Sequence, residues 1–273
     1  MSASAQVEGG TSHAPFDVLA DCYDDLFTNS LIGRAQRKVT WGALRRAFNA
    51  GDSVLELNCG TGEDALFLAK SGVTVLALDI SESMIAVAKR RKSREMPAAT
   101  ARFSVLPIER ISELAGASFD GAFSNFSGLN CVRDLGAVAL ALSALIKPNG
   151  HVLLCLSTRV CAWEVIWFLV NRMPRRAFRR ASRGCCEIQL GQSTLPVWYP
   201  LVRDLKRQFH PWFLLQKQTG VGVFVPPSYM EEQARRAPRL LRWASSVDEL
   251  VCNLPVFRSL GDHVLLDFCR SDS

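Results

Sequence analysis

The 273-residue sequence has no C-x-x-C pair, only four histidines and no uncharged apolar run long enough for a bilayer. Its greasiest stretch, 152–170, carries Arg159 and Glu164, whereas a spanning helix needs about 20 residues with few or no charges. That excludes a transmembrane segment. Nine cysteines, an odd number without regular spacing, exclude a disulfide framework and a zinc knuckle, and they read as reduced thiols. No fixed-period repeat or sustained heptad excludes solenoids and coiled coils. The first residues, MSASAQVEGGTSH, have neither a basic start nor an apolar run, so 1–15 reads as a flexible tail without a secretory signal. With reduced thiols, this points to the cytoplasm.

What is present is a large apolar core, 48% hydrophobic residues against 21% charged, enough to bury one sizeable domain over 16–273. From residue 53 short apolar runs alternate with helical patterns. SVLEL (53–57), VTVLALD (73–79), ARFSVL (101–106), SFDGAFSNF (118–126) and HVLLCLS (151–157) read as strands. Helices fall at 63–72, 81–93 and 132–147, the second with a serine cap. Such alternation predicts βαβ units. Helical segments are expected at 16–48, 161–171, 175–183, 201–209 and 229–252. A hairpin is expected near 186–198, and two more strands at 211–224 and 263–269. The fold expected is α/β: a Rossmann-like, doubly wound, mostly parallel seven-stranded sheet with a helical and hairpin insertion after the fifth strand. The cofactor core would then span 16–158, the insertion and acceptor cap 159–210, and the closing elements 211–273.

In open α/β sheets ligands bind beyond the carboxyl ends of the strands. There, Glu56-Leu57-Asn58-Cys59-Gly60-Thr61-Gly62-Glu63-Asp64-Ala65 follows the first strand, and Asp79 ends the second. Two cofactor classes fit. Gly60-Thr61-Gly62-Glu63-Asp64-Ala65 satisfies the dinucleotide pattern G-x-G-x-x-A, with Asp79 at the ribose distance. Yet a pyrophosphate would face Glu56, Glu63 and Asp64, whereas a ligand ammonium would be attracted to them.

The stretch also resembles the E-x-G-x-G-x-G motif of class I S-adenosylmethionine-dependent methyltransferases, with Asn58 in place of the first glycine. Asparagine tolerates the left-handed backbone such a turn needs. Asp79-Ile80-Ser81-Glu82-Ser83-Met84, Phe119-Asp120-Gly121-Ala122-Phe123 and Leu145-Ile146-Lys147-Pro148-Asn149-Gly150 are similar to later elements of that family, over about 16–158. The resemblance implies S-adenosylmethionine as cofactor. It implies Glu56 toward the methionyl ammonium, Asn58, Cys59, Gly60, Thr61 and Gly62 along the loop, and Asp79 at the ribose. Ile80 and Met84 would flank adenine, Asn125 would approach the methionyl end, and Phe16-Asp17 and Tyr23-Asp24 would fold over the cofactor. The family's acid at the third strand end is missing from Val105-Leu106-Pro107.

The acceptor is less legible. Ser124-Asn125-Phe126-Ser127 is not the [DN]-P-P-[YF] of amine methylation, and neither a catechol-type metal set nor a metal site is recognisable. Candidate catalytic groups are Glu164, Tyr199 and His210. His151 and His263 open strands, where a structural role is the ordinary one, and Glu164 would ordinarily lie on a solvated helix face or pair with a nearby arginine. Segment 161–183 holds six arginines and one acid, a local charge of +5 in a chain of +6. It reads as a lid with Trp163, Ile166, Trp167 and Val170 on one face, as an interfacial helix for peripheral membrane contact, or as an RNA contact. Charge confined to one segment disfavours nucleic acid. The expectation is methyl transfer to a small or lipid-like molecule. The alternatives are an RNA methyltransferase and a non-catalytic, cofactor-binding regulatory protein.

Overall fold

The computed structural model describes residues 14–181, 184–190 and 193–272. Thirteen residues of the expected tail lie outside them. Of its last two, Ala14 is buried and Pro15 stands on a cavity wall.

The chain enters through short helical turns and α1 (Leu31–Ala47), capped by Ser30, whose hydroxyl accepts from Gly33 N at 2.9 Å. Then β1 (Ser53–Leu57), α2 (Glu63–Ala69), β2 (Thr74–Asp79), α3 (Glu82–Glu95), β3 (Ala101–Val105), β4 (Phe119–Ser124), α4 (Leu135–Leu145) and β5 (Ile146–Leu156) follow. The serine cap on α3 is Ser81, accepting from Met84 N at 3.0 Å. Helix α4 is shorter than its sequence pattern. Asp134 caps it through Ala137 N, and Pro148 disfavours helix in the residue before it.

The insertion comprises α5 (Ala162–Val170), one turn of α6 (Pro174–Ala177) and the hairpin β6 (Cys185–Leu190)–β7 (Ser193–Trp198). The helix expected over 175–183 reduces to α6 and a 3₁₀ turn at Arg179–Ala181; 182 and 183 are outside the described residues. Then come α7 (Val202–Phe209), β8 (Phe213–Val221), α8 (Glu231–Arg236), α9 (Pro238–Val251) and β9 (His263–Arg270). The expected helix 229–252 is split at Pro238, whose ring leaves no N–H for a continuous ladder.

The seven-stranded sheet has the order β3-β2-β1-β4-β5-β9-β8. The first five are parallel; β9 runs antiparallel to β5 and β8 antiparallel to β9. Alternate residues of each strand feed opposite faces. Val152, Leu154 and Leu156 join Leu142, Leu205 and Phe209 on the α4–α7 side. Leu153 and Cys155 join Leu44, Leu66 and Ile85 beneath α1–α3. Because β9 is antiparallel, His263 at its start lies beside the carboxyl end of β5, with Val264 opposite Leu156. The β8 start, Phe213 opposite Arg270, is at the other rim.

Phe268 is fully buried and stacks on Phe209 at 4.7 Å. Phe268→Ala should cost about 3–5 kcal/mol. Urea unfolding would report this, and a loss below about 1 kcal/mol would contradict the packing.

Candidate functional site

Beyond β1 the chain turns with Asn58 at φ 56°, Gly60 at 53° and Gly62 at 77°. Asn58 thus supplies the left-handed geometry in the first glycine's place. At Gly62 a Cβ would also come within 2.6 Å of the Phe103 ring. Asp79 braces the loop, accepting from Gly60 N at 2.8 Å and Ser81 N at 2.9 Å. Burial pushes its carboxyl up, and the two amide bonds act against that shift.

Glu56 is buried under the loop and its Oε2 has no hydrogen-bond partner among the described residues. Burial first, then the neighbouring Asp64, drives its carboxyl well above the usual range. A ligand cation would reverse that penalty. Asp64 is a hub: Arg37 Nη1 donates to it at 2.7 Å, Trp41 Nε1 at 2.6 Å and Asn125 Nδ2 at 3.0 Å. Asn125 is thereby oriented, with its buried Oδ1 left unpartnered among the described residues.

The N-terminal turns close over this loop. Thr61 Oγ1 donates to Asp24 at 2.7 Å, Arg91 joins Asp24 to Glu63, and Ser83 N and Ser81 Oγ donate to Asp17. Burial lifts the Tyr23 hydroxyl to about 12.

A cavity of about 460 Å³ opens above the strand ends. Tyr23, Asn58, Gly60, Asp79, Ile80, Met84 and Asn125 line it. Glu56, Cys59, Thr61 and Gly62 are not among its lining residues. Glu109, one turn past β3, reaches the lining and brings an acid to the region where the strand end has none. Ile188, Leu195 and Val197 of the hairpin also line the cavity, with Tyr199, Tyr229 and His263. A larger open groove of about 770 Å³, between α1 and the β8–α9 region, contains none of Gly60, Asp79 or Asn125.

Two catalytic candidates change role. Glu164 is fully buried and does not line the cavity: Arg179 Nε donates to it at 2.5 Å and Arg180 Nε at 2.8 Å, while Arg180 also bridges to Asp262 at 2.7 Å. Its negative charge is used in holding the insertion down. His210 is exposed after α7, at the opposite rim of the sheet from the cavity. Tyr199 remains on the wall.

The lid face is corrected too. Trp163 and Trp167 pack toward Ile32, Val225 and Met230, with Trp163 Nε1 donating to Phe224 O, while Ile166 and Val170 face outward. Ile188, Leu195 and Val197 of the hairpin line the cavity, and no residue of α5 does. Cys131 reaches the cavity, but burial lifts its thiol to about 11, too high for a thiolate nucleophile at neutral pH. Among the described residues no group of three His, Cys, Asp or Glu is placed to hold a metal ion.

Sequence reasoning missed His263, Glu109, Tyr229 and the Arg37–Asp64 pair. His263 and Arg37 come from distant elements and carry no local motif. Only Asp64, inside the quoted loop, offered a signal.

A parallel sheet reversing its order at β1/β4, with a glycine loop and a strand-end acid there, is the usual place for a nucleoside cofactor. Residues 54–150 match the model of the methyltransferase domain family. A demethylmenaquinone methyltransferase of Mycobacterium marinum is 31% identical over 186 residues, covering 65% of this chain and 74% of the relative. One from Corynebacterium efficiens is 30% identical over 207 residues, covering 72% and 84%. Among solved structures, magnesium protoporphyrin IX methyltransferase from Synechocystis, with bound SAH, superposes with a TM-score of 0.55 at 12% identity, covering 92% and 88%. The chain belongs to the class I S-adenosylmethionine-dependent methyltransferases, and S-adenosylmethionine is its cofactor.

Glu164→Gln should destabilise the fold by about 3–5 kcal/mol, since two guanidinium groups lose their carboxylate. Affinity for S-adenosylmethionine should stay within about twofold, because Glu164 is off the cavity wall. Denaturation with calorimetry checks both, and a stable variant with weakened cofactor binding would contradict the assignment.

Proposed function

We propose that this chain methylates a small, largely apolar, lipid-like acceptor held between the strand ends and the hairpin. One observation carries the reading: a single cavity runs from Asp79 to the apolar wall of Ile188, Leu195 and Val197. The relatives named for demethylmenaquinone support an acceptor of that character. Asp79 takes the ribose hydroxyls, and Ile80 and Met84 flank the adenine. Glu109 receives its amine. The backbone of Asn58, Cys59, Gly60, Thr61 and Gly62 follows the cofactor under Tyr23. Glu56, with its unpartnered oxygen, balances the methionyl ammonium, and Asn125 Oδ1 offers a further acceptor. Bound S-adenosylmethionine supplies an electrophilic methyl group on a sulfonium whose departure leaves a neutral thioether. The protein's share is position and exclusion of water.

The acceptor reaches this site from a membrane surface that the cytoplasmic protein touches from one side. Among the described residues no helix is long and apolar enough to cross a bilayer. Ile166, Leu169, Val170, Met173 and Phe178 are exposed, and Arg172, Arg175 and Arg176 stand exposed among them. Apolar side chains ringed by arginine suit an anionic lipid surface.

Asp79→Ala should weaken S-adenosylmethionine binding at least about tenfold in calorimetry, the loss of roughly 1.4 kcal/mol or more. Unchanged affinity would remove Asp79 from the site. The wild type should sediment with phosphatidylglycerol vesicles, and the double variant Ile166→Asp, Val170→Asp should lose most of that binding. Steeply salt-dependent RNA binding without vesicle binding would favour an RNA substrate instead.

A further inference from the structure

His263 is the only histidine on the cavity wall among the described residues. It is 8% exposed, and its ring meets Phe126, the residue after Asn125, edge-on at 5.7 Å. The imidazole therefore stands next to the carboxyl end of β4, on the cavity wall that also holds Asn125. Its Nδ1 is buried without a hydrogen-bond partner among the described residues, and Asp262 Oδ2 lies 3.4 Å away. A carboxylate on that side favours the tautomer with its proton on Nδ1, leaving the lone pair on Nε2.

Asp262 is itself fixed. Arg180 donates to Oδ1 at 2.7 Å and Gln36 Nε2 to Oδ2 at 3.3 Å. Burial pulls the Asp262 carboxyl up, but His263 and Arg180 together hold it below its usual value. It stays charged beside the ring. Burial lowers the imidazole's own proton affinity, Asp262 raises it and Arg180 lowers it, for a net value below the ordinary 6.5. Arg37, from α1, lies over the Phe126 ring at 4.8 Å.

We propose that His263 takes the hydroxyl proton of the acceptor, so that the acceptor of this site is an apolar molecule carrying an ionisable hydroxyl, a phenol or an enol. The inference rests on the methyl-transfer reading above and names its substrate class. In the step, the acceptor O–H bond breaks and its electron pair stays on the acceptor as phenolate or enolate. An N–H bond forms at Nε2, giving an imidazolium that afterwards releases its proton to water. Nucleophilic oxygen, or the conjugated carbon of the same anion, is then available to the methyl group. Only the neutral imidazole can accept. Turnover therefore falls as pH drops through the His263 value, below 6.5.

The test uses 4-nitrophenol, whose ionisation is visible in its absorbance, with full-length protein saturated with S-adenosylhomocysteine. Binding to the wild type should lower the probe's apparent pKa by about one unit or more, and the shift should vanish in His263→Phe and His263→Gln. Calorimetry with S-adenosylhomocysteine should give affinities within about threefold for all three proteins, which reports an intact fold and cofactor site. A shift that persists in both variants, no shift in the wild type, or no binding of the probe overturns the role of His263. Failure of the wild type to bind S-adenosylhomocysteine overturns the methyl-transfer reading as well, so the two failures are distinguishable.

Discussion

Everything functional in this molecule hangs on the reversal of strand order at β1 and β4. The crossovers on either side of that point carry α2 and α4 to opposite faces, so no helix covers the strand ends between them. The sheet there must end in backbone amides and carboxylates rather than apolar side chains. Asn58, Gly60, Asp79 and Asn125 all stand at this edge, each at the end of a strand or within three residues past it.

Such an edge is costly to leave uncovered, because buried carboxylates without partners are raised in energy. The chain covers it from both sides with charge. Arg37 reaches from α1 to Asp64, and Arg91 ties the entering turns to Glu63 and Asp24. Glu56 is left out of these pairs. Its buried, unpartnered oxygen is a local cost that a cationic ligand would remove, a physical reason for the site to prefer a methionyl ammonium over a pyrophosphate.

The cofactor half was legible in the sequence because each of its requirements is local. A left-handed turn needs glycine or asparagine, a ribose needs an acid at a strand end, and both sit within a few residues of a recognisable apolar run. The sheet was legible for the same reason, down to a final strand expected at 263–269, though its antiparallel direction was not. Legibility stopped where long-range packing decides. Nothing around His263 distinguishes it from any residue that opens a strand; only the antiparallel placement of β9 beside β5 brings it to the cavity. His210 looked better placed because it sits between a helix and a strand, yet that junction is at the far rim. Glu164 was singled out for being the one charge in an apolar helix, and that isolation reflects its burial against Arg179 and Arg180.

The arginine cluster shows why composition alone misleads about function. Read along the chain, the six arginines form one basic patch; in the fold the five among the described residues separate. Arg179 and Arg180 are tied to Glu164, and Arg180 also to Asp262, so those charges act inward and hold the insertion against the start of β9. Arg172, Arg175 and Arg176 remain outward beside Val170 and Phe178. A buried ion pair contributes less to stability than to geometry, since desolvation offsets much of the attraction. Here the geometry it defines is specific: the same Arg180 that anchors the insertion contacts the carboxylate beside the His263 imidazole. The insertion, whose hairpin lines the cavity, and the carboxylate beside His263 are therefore held by one charge network, and moving either must disturb the other.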